Sequence, residues 1–164
     1  MPSAADLFER HHRPVFSFLR RLAGSSEDAE DLTQEVFVRV LKAIDGYQES
    51  GLERAWVFRI ARNVWLDDRR ARSRAPAIEP VRDGQVARFP DPPDSRLALQ
   101  QALAHLGDAE REAFLMRETG GLGYVEIAEA TGATPDAVRS RIHRARLALR
   151  RTLAGTGPAR EAKT

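Results

Sequence analysis

The sequence predicts an all-α protein in which two small helical domains are joined by a flexible, proline-rich linker. Apolar residues recur at helical spacing almost throughout, and no segment alternates over enough residues to predict a strand. Between Ala75 and Pro93 this period disappears and five prolines occur, which is typical of a linker. With 164 residues, 42% of them hydrophobic, the chain has the composition of a globular protein and the length of one domain or two small ones.

The N-terminal half contains the patterns of three helices. The first ends at Gly24, and the second begins near Ser26, whose hydroxyl is a good N-cap, and ends at Gly46. A third helix follows a loop at residues 47–53 and continues into a run of arginines.

Helices resume after the linker in the C-terminal half. Asp94 is expected to cap one helix and Asp108 a second, which Gly120 and Gly121 end. The tail after Gly155 contains only small and charged residues and is expected to fray.

Residues 124–151 fit a helix-turn-helix closely. Ala128 provides the small side chain over which the second helix packs, and Gly132 suits a turn that requires positive φ. Thr134 can cap the second helix, with Pro135 in the first helical position, where its missing N–H is tolerated. Few other motifs require these residue types in this order.

The second helix of this motif separates into an apolar and a basic face. Its predicted buried stripe consists of Val138, Ile142, Ala145 and Leu149. The opposite side, near the end that enters the major groove in such motifs, carries Arg139, Ser140, His143 and Arg144. Arginine forks can pair with guanine, and serine can contact a base edge or a phosphate. The alternative is a solvated amphipathic face, which fits less well because residues 139–151 contain six arginines and no acid.

Charge is distributed in blocks, although the formal net charge is only +2. Residues 27–35 hold five carboxylates and no base, whereas residues 52–74 hold seven arginines against three acids. Such blocks indicate different faces for different partners, and the basic ones suit polyanions. The absence of cysteine excludes disulfides, zinc ribbons and thiolate catalysis. The sequence contains neither a glycine-rich phosphate loop nor a Ser–His–Asp spacing that would indicate an enzyme.

A second motif lies in the basic helix of the N-terminal half. It reads Trp56-x-x-x-Ile60-Ala61-x-Asn63-x-x-x-Asp67-x-x-Arg70. Arg59 and Arg62 are interleaved with these residues. On spacing alone, a buried tryptophan surrounded by helix charges would explain the pattern.

Taken together, the acidic helix, the tryptophan pattern and the helix-turn-helix resemble the extracytoplasmic-function group of bacterial RNA polymerase sigma factors, the small kind with only regions two and four. The resemblance is carried by residues 28–37, 56–70, 124–128 and 138–146. It implies a region-two domain at residues 1–74, a linker at 75–93, a region-four domain at 94–154 and a tail at 155–164. The implied function is that of a promoter-specificity subunit, which binds core polymerase, recognises the minus-35 and minus-10 elements and helps to open the DNA.

The resemblance also implies roles for individual residues. Docking on the clamp helices of the largest polymerase subunit is implied for Asp28, Asp31, Gln34 and Glu35. Recognition of the minus-10 element is implied for Gln48, Glu49, Ser50, Gly51, Arg59, Arg62 and Asn63. Recognition of the minus-35 element is implied for Arg139, Ser140, His143 and Arg144, with Arg117 as a phosphate contact. An amide such as Asn63 offers both a donor and an acceptor to the Watson–Crick edge of a flipped base.

Two residues depart from the pattern of the family. His143 stands where many members have an apolar or aromatic residue, so it is either a different kind of base contact or a surface histidine without a role. Gly123 replaces the usual hydroxyl cap of the first helix of the motif. His11, His12 and His105 have no carboxylate at metal spacing and are expected to be structural or exposed.

The implied partners are core RNA polymerase, promoter DNA and an anti-sigma factor. The free chain is expected to be a monomer without catalytic activity, cofactor or metal. No apolar run approaches the ~18 residues that span a bilayer, so we expect a cytoplasmic protein, nucleoid-associated when in the holoenzyme, with no membrane insertion. The alternative is a stand-alone helix-turn-helix regulator, which would normally be a dimer and would need neither the acidic helix nor the tryptophan pattern.

Overall fold

The structure is a computed structural model that describes residues 1–74 and 93–155, with the backbone alone at 93–95. These parts of the chain contain only helices and the loops between them. The helices are α1 (Ala4–Ala23), α2 (Ser26–Ala43), α3 (Glu53–Arg74), α4 (Pro93–Ala104), α5 (Asp108–Glu118), α6 (Tyr124–Thr131) and α7 (Pro135–Gly155). The prediction of an all-α protein is confirmed. None of these helices is long and apolar enough to cross a membrane. The predicted linker lies outside the described residues except for Pro93, and the predicted tail lies outside them except for Gly155.

Helix α2 begins at Ser26, as predicted, but the predicted N-cap is wrong by one residue. The N-cap is Ser25, which has extended backbone angles and whose Oγ accepts a hydrogen bond from the N–H of Asp28 at 3.1 Å. Ser26 is already the first helical residue, so its hydroxyl cannot serve as the cap. At the other end α2 stops at Ala43, and a single turn of 3-10 helix carries the chain on to Gly46, where the sequence predicts the end.

Both predicted aspartate caps of the C-terminal half are wrong. Helix α4 already begins at Pro93, so Asp94 lies in its first turn. Helix α5 begins at Asp108, and its N-cap is Gly107, which has extended backbone angles and makes no side-chain cap. The carboxylate of Asp108 instead accepts a hydrogen bond from Arg111, one turn further along the helix. An arginine at this spacing competes for the carboxylate that would otherwise cap the backbone.

The helix-turn-helix prediction is confirmed in its geometry by α6 and α7. Gly132 adopts φ of 72° in the turn between the helices, a conformation that glycine takes without strain. Oγ1 of Thr134 accepts a hydrogen bond from the N–H of Ala137 at 3.1 Å and so caps α7. The buried residues of α7 are those of the predicted stripe, Val138, Ile142, Ala145 and Leu149.

The two halves of the chain pack against each other, mainly through α3 and α6. Phe58 of α3 is fully buried and packs against Phe18 of α1, with ring centroids 5.5 Å apart. The same ring approaches the C-terminal half so closely that a Cβ on Gly120 would lie 2.8 Å from Phe58 Cζ. The buried apolar residues of both halves form one continuous core. The sequence predicts two domains on a tether and contains no local signal of this contact.

We expect Gly132→Ala to lower the free energy of unfolding by about 1 kcal/mol, because a Cβ is strained at positive φ. The space around that Cβ is open, so the loss would come from the backbone alone. Gly46→Ala is the matched control, since its Cβ also meets nothing within 4 Å and its φ is not positive. Urea unfolding followed by circular dichroism measures both variants, and an equal loss in the two would contradict this account.

Candidate nucleic-acid interface

The N-terminal turns of α7 present the predicted minus-35 residues to solvent. All four of them are exposed: Arg139, Ser140, His143 and Arg144. Within the described part of the chain, the side chains of Ser140 and His143 make no hydrogen bond. This end of α7 can therefore approach a duplex without any unpacking of the C-terminal half.

The two arginines of this surface each make one ion pair at the surface, Arg139 with the fully exposed Asp136 and Arg144 with the half-buried Glu110. Arg144 donates from Nε to Oε1 of Glu110 at 3.0 Å, and Nη1 of Arg139 lies 3.4 Å from Oδ1 of Asp136. More than half of each arginine side chain is accessible to solvent. Because exposed pairs of this kind contribute little, a phosphate or a guanine edge can replace the carboxylate at small cost.

The predicted phosphate contact Arg117 lies beside this surface, joined to it by an aromatic ring. Its guanidinium carbon is 4.9 Å from the ring centroid of Tyr124, and that of Arg139 is 5.2 Å from the same centroid. Nη1 of Arg117 also donates to the carbonyl oxygen of Leu122 at 3.1 Å. Sequence reasoning gives Tyr124 no role, although an aromatic residue at the start of the helix that precedes a basic helix is a usable signal.

The loop predicted to contact the minus-10 element is exposed and internally bonded. Oε1 of Glu49 accepts hydrogen bonds from the Tyr47 hydroxyl at 3.2 Å and from the Gly51 N–H at 3.4 Å. The Tyr47 ring is buried against Trp56 of α3, with centroids 4.9 Å apart. Burial, and then the neighbouring Glu49 carboxylate, raises the pKa of Tyr47, which keeps its phenol a donor at still more alkaline pH than that of a free tyrosine. Gln48 and Ser50 are exposed on the loop that Tyr47 anchors.

On α3, one of the predicted minus-10 residues is exposed, whereas the two arginines are bonded to the C-terminal half. Asn63 is exposed. Arg59, by contrast, donates from Nη2 to the backbone oxygen and to Oε1 of Glu129 in α6, at 2.8 and 2.9 Å. Arg62 donates from Nε to Oε2 of Glu112 in α5 at 2.8 Å, and only 4% of the Glu112 side chain is accessible. The C-terminal half therefore occupies two of the arginines assigned to DNA.

Further ion pairs join the two halves, again with the cation on α3 and the carboxylate on the C-terminal half. Arg54 of α3 grips Glu126 of α6 with Nε and Nη2, each 2.9 Å from a carboxylate oxygen. Oε1 of Glu126 also accepts a hydrogen bond from the N–H of Gly123 at 3.0 Å, which supports the start of α6 that lacks a hydroxyl cap. Arg69 of α3 lies 3.2 Å from Asp108 of α5. In each of these pairs α3 supplies the cation and the C-terminal half the anion.

Of the four residues assigned to polymerase docking, two contact arginines of the same chain and the other two are exposed. Glu35 accepts a hydrogen bond from Arg39, which also donates to Asp67 of α3 at 2.8 Å. These two bonds, that to Asp67 first, raise the pKa of Arg39. Asp28 is half-buried and lies 3.2 Å from Arg72 of α3. Asp31 and Gln34 are exposed, and no hydrogen bond or ion pair within the described ranges engages their side chains.

Two exposed apolar residues continue this face of α2. Val38 and Leu41 are 43% and 64% exposed. They follow Asp31 by seven and ten residues, and Gln34 by four and seven, so the four side chains lie on one side of the helix. The sequence offers a signal for them, since they fall outside the buried stripe of Leu32, Val36 and Val40. The candidate docking surface is thus acidic at one end and apolar at the other.

His11 has a carboxylate partner that its sequence neighbours do not predict. The residue is buried in α1, and Nε2 lies 2.7 Å from Oε1 of Glu53, the first residue of α3. Arg10 contacts the same carboxylate at 2.8 Å. This contact ties α1 to the start of α3. The described residues contain no group of three or more side chains arranged to hold a metal.

Comparison with known proteins assigns both halves of the chain to one family. The model of Sigma-70 region 2 matches residues 7–75, and that of Sigma-70, region 4 matches residues 96–149. The ECF RNA polymerase sigma factor EcfG of Rhodopseudomonas palustris is 32% identical over 79% of this chain and 74% of its own length. The chain belongs to the extracytoplasmic-function group of RNA polymerase sigma factors. Members of this family are non-catalytic initiation factors that supply promoter specificity to the polymerase.

Other similar proteins agree with this assignment. The ECF RNA polymerase sigma factor SigE of Mycolicibacterium smegmatis is 41% identical over 94% of this sigma factor, which spans 63% of that protein. The sigma factor RpoE of Bartonella quintana, solved in complex with the anti-sigma factor NepR, superposes with a TM-score of 0.70 at 25% identity and covers 90% of this chain and 94% of that one. A stand-alone regulator is not favoured, because the N-terminal half matches region 2.

We expect Arg62→Ala to destabilise this sigma factor by about 3 kcal/mol, because the substitution leaves the buried Glu112 carboxylate without its cation. Arg59→Ala is the matched control on the same helix. Its partner Glu129 is 52% exposed, so we expect a loss below about 1 kcal/mol. Urea unfolding measures both, and the double variant Arg62→Ala, Glu112→Leu should recover most of the loss. Equal losses for Arg59→Ala and Arg62→Ala would contradict the assignment of a buried pair.

Proposed function

We propose that this chain acts as the promoter-specificity subunit of a bacterial RNA polymerase. The observation that carries the proposal is the combination, in one chain, of a helix-turn-helix whose basic N-terminal end is exposed and a second helical group with an acidic helix and an exposed amide on α3. Residues 1–74 would form the region-two domain and residues 94–154 the region-four domain, with 75–93 as the linker and 155–164 as the tail.

The minus-35 element is assigned to the first turns of α7. Arg139 and Arg144 carry planar forks that can pair with O6 and N7 of guanine in the major groove. Ser140 and His143, which are exposed, can donate to or accept from a base edge or a phosphate. Arg117, which contacts the same Tyr124 ring as Arg139, suits a phosphate at the edge of the groove.

The minus-10 element is assigned to the loop 48–51 and to α3. Asn63 lies ten residues beyond Glu53, the first residue of α3, so the two are about 15 Å apart along the helix axis. A single strand that contacts the start of the helix and Asn63 would therefore run along α3. Reading a base at Asn63 requires that base to leave the duplex stack, and a melted promoter meets this requirement.

Use of Arg59 and Arg62 in this strand contact requires the two halves of the chain to separate. In the closed arrangement, by which we mean the packing of α3 against α5 and α6, the carboxylates of Glu129 and Glu112 hold the positions that phosphates would take. Promoter phosphates, with core polymerase as the scaffold, would replace these carboxylates. The free chain would accordingly hold DNA weakly and the assembled holoenzyme strongly, because the two small domains alone bear the cost of ordering a two-site contact.

The partners follow from the same assignment. The α2 surface of Asp31, Gln34, Val38 and Leu41 would dock on the clamp helices of the largest polymerase subunit. RpoE of Bartonella quintana is described in complex with an anti-sigma factor, and we propose a partner of this class here too. The free chain would be a monomer that acts in the bacterial cytoplasm, at the nucleoid when it is in the holoenzyme. The polymerase would supply all of the chemistry.

We expect Asp31→Arg to abolish pull-down of core polymerase while the helical signal of the free chain persists, because Asp31 is exposed and supplies the negative charge at the acidic end of the docking surface. Glu9→Arg is the control, since it makes the same change in charge at an exposed position of α1. Undiminished pull-down by Asp31→Arg, or equal loss in both variants, would contradict docking through α2.

We expect Arg144→Ala to change which minus-35 sequences are preferred, by about 1 to 3 kcal/mol for a lost bidentate contact. Arg151 is exposed two turns further along α7. Arg151→Ala should instead weaken binding to all sequences similarly and reduce the slope of log affinity against log salt by about one. Transcription from a randomised minus-35 library, with binding of the holoenzyme titrated against salt, measures both. A uniform loss for Arg144→Ala would mean that α7 does not read bases at this position.

A further inference from the structure

Three helices of the C-terminal half meet at the ring of Tyr124. Tyr124 is the first residue of α6, Arg117 lies near the end of α5, and Arg139 lies in the second turn of α7. The two guanidinium carbons are 4.9 and 5.2 Å from the one ring centroid, within the distance at which a cation is attracted to an aromatic face. The ring thus gathers two cations that come from different helices.

The ring is the principal constraint on the Arg139 side chain. The other contact of Arg139, to Asp136, measures 3.4 Å and is made by a carboxylate that is 93% exposed, so water competes for it. The Arg139 side chain is itself 63% exposed. An arginine in such a position has wide rotamer freedom, and pairing with a base would cost the entropy of fixing it.

Arg117 is held more firmly. It is half-buried, and Nη1 donates to the Leu122 carbonyl in addition to the contact with the ring. Tyr124 therefore contacts two cations at the edge of the surface that α7 presents. Arg117 is also held by a hydrogen bond, whereas Arg139 is restrained mainly by the ring.

We propose that Tyr124 is a positioning residue for recognition of the minus-35 element. Its ring orients the Arg139 fork toward a base edge and keeps Arg117 beside it for the adjacent phosphate. The inference rests on the proposed function of α7, and it adds a residue that acts through the two arginines by way of its aromatic face. The hydroxyl of Tyr124 has no part in this role.

The test compares Tyr124→Leu, which removes the ring, with Tyr124→Phe, which keeps it. Both are assembled with core polymerase and selected on a randomised minus-35 library. Tyr124→Leu should reduce discrimination by about two- to five-fold, the factor that corresponds to one exposed cation–π contact, at the base position that Arg139→Ala affects. Tyr124→Phe should match the parent chain. In the Arg139→Ala background, Tyr124→Leu should cause no further change at that position.

Several outcomes would overturn the inference. Unchanged discrimination in Tyr124→Leu would do so, and an equal loss in Tyr124→Phe would transfer the role to the hydroxyl. A uniform loss over all sequences, including the position that Arg144→Ala affects, would reduce Tyr124 to a structural residue. Val125→Ala, at a 60% exposed neighbour on the same helix, controls for damage to α6. Failure of both Arg139→Ala and Arg144→Ala to alter discrimination would instead refute the proposed function of α7.

Discussion

The arrangement of the whole chain depends on how the charges of α3 are neutralised. Arg62 meets a carboxylate that is almost fully buried, and a buried charge is tolerated only when a partner of opposite sign is in contact with it. Glu112 therefore requires the N-terminal half to be in place, and Phe58, packed against Gly120, adds an apolar contact beside the ion pairs. Charge and packing together hold α3 against α5 and α6.

This arrangement changes the interpretation of the charge blocks. The sequence indicates separate faces for separate partners, with basic segments matched to polyanions. In the folded chain the basic block of α3 first neutralises acids of the same molecule: Arg72 pairs with Asp28 of α2, and Arg59 pairs with Glu129 of α6. The acids of α2 and those of α5 and α6 thus share one basic helix. External partners would compete with these internal ones.

The sequence predicts local features well and long-range ones poorly, for a physical reason. The buried stripe of α7 and the left-handed turn at Gly132 depend on neighbouring residues, and both are as predicted. The caps at Ser26 and Asp108 fail because in each case the residue immediately before has the extended backbone angles of the N-cap, and a sequence pattern does not separate two adjacent candidates. The exposure of the minus-35 residues follows from the helical period, whereas the occupation of Arg62 joins residues 50 apart in the chain. No periodicity encodes that contact.

The closed arrangement leaves the two candidate DNA surfaces unequally available. The start of α7 is exposed, with Arg139 and Arg144 engaged only in weak, solvent-accessible pairs. Release of Arg62 of α3 would leave the buried Glu112 carboxylate without a cation, so transfer of this arginine to DNA costs more free energy. Contact with a duplex through α7 can therefore precede separation of the halves, while use of Arg62 cannot. Under the proposed function, recognition through the C-terminal half would therefore come first, and a minus-10 strand would contact Arg62 only after Glu112 had been rehydrated.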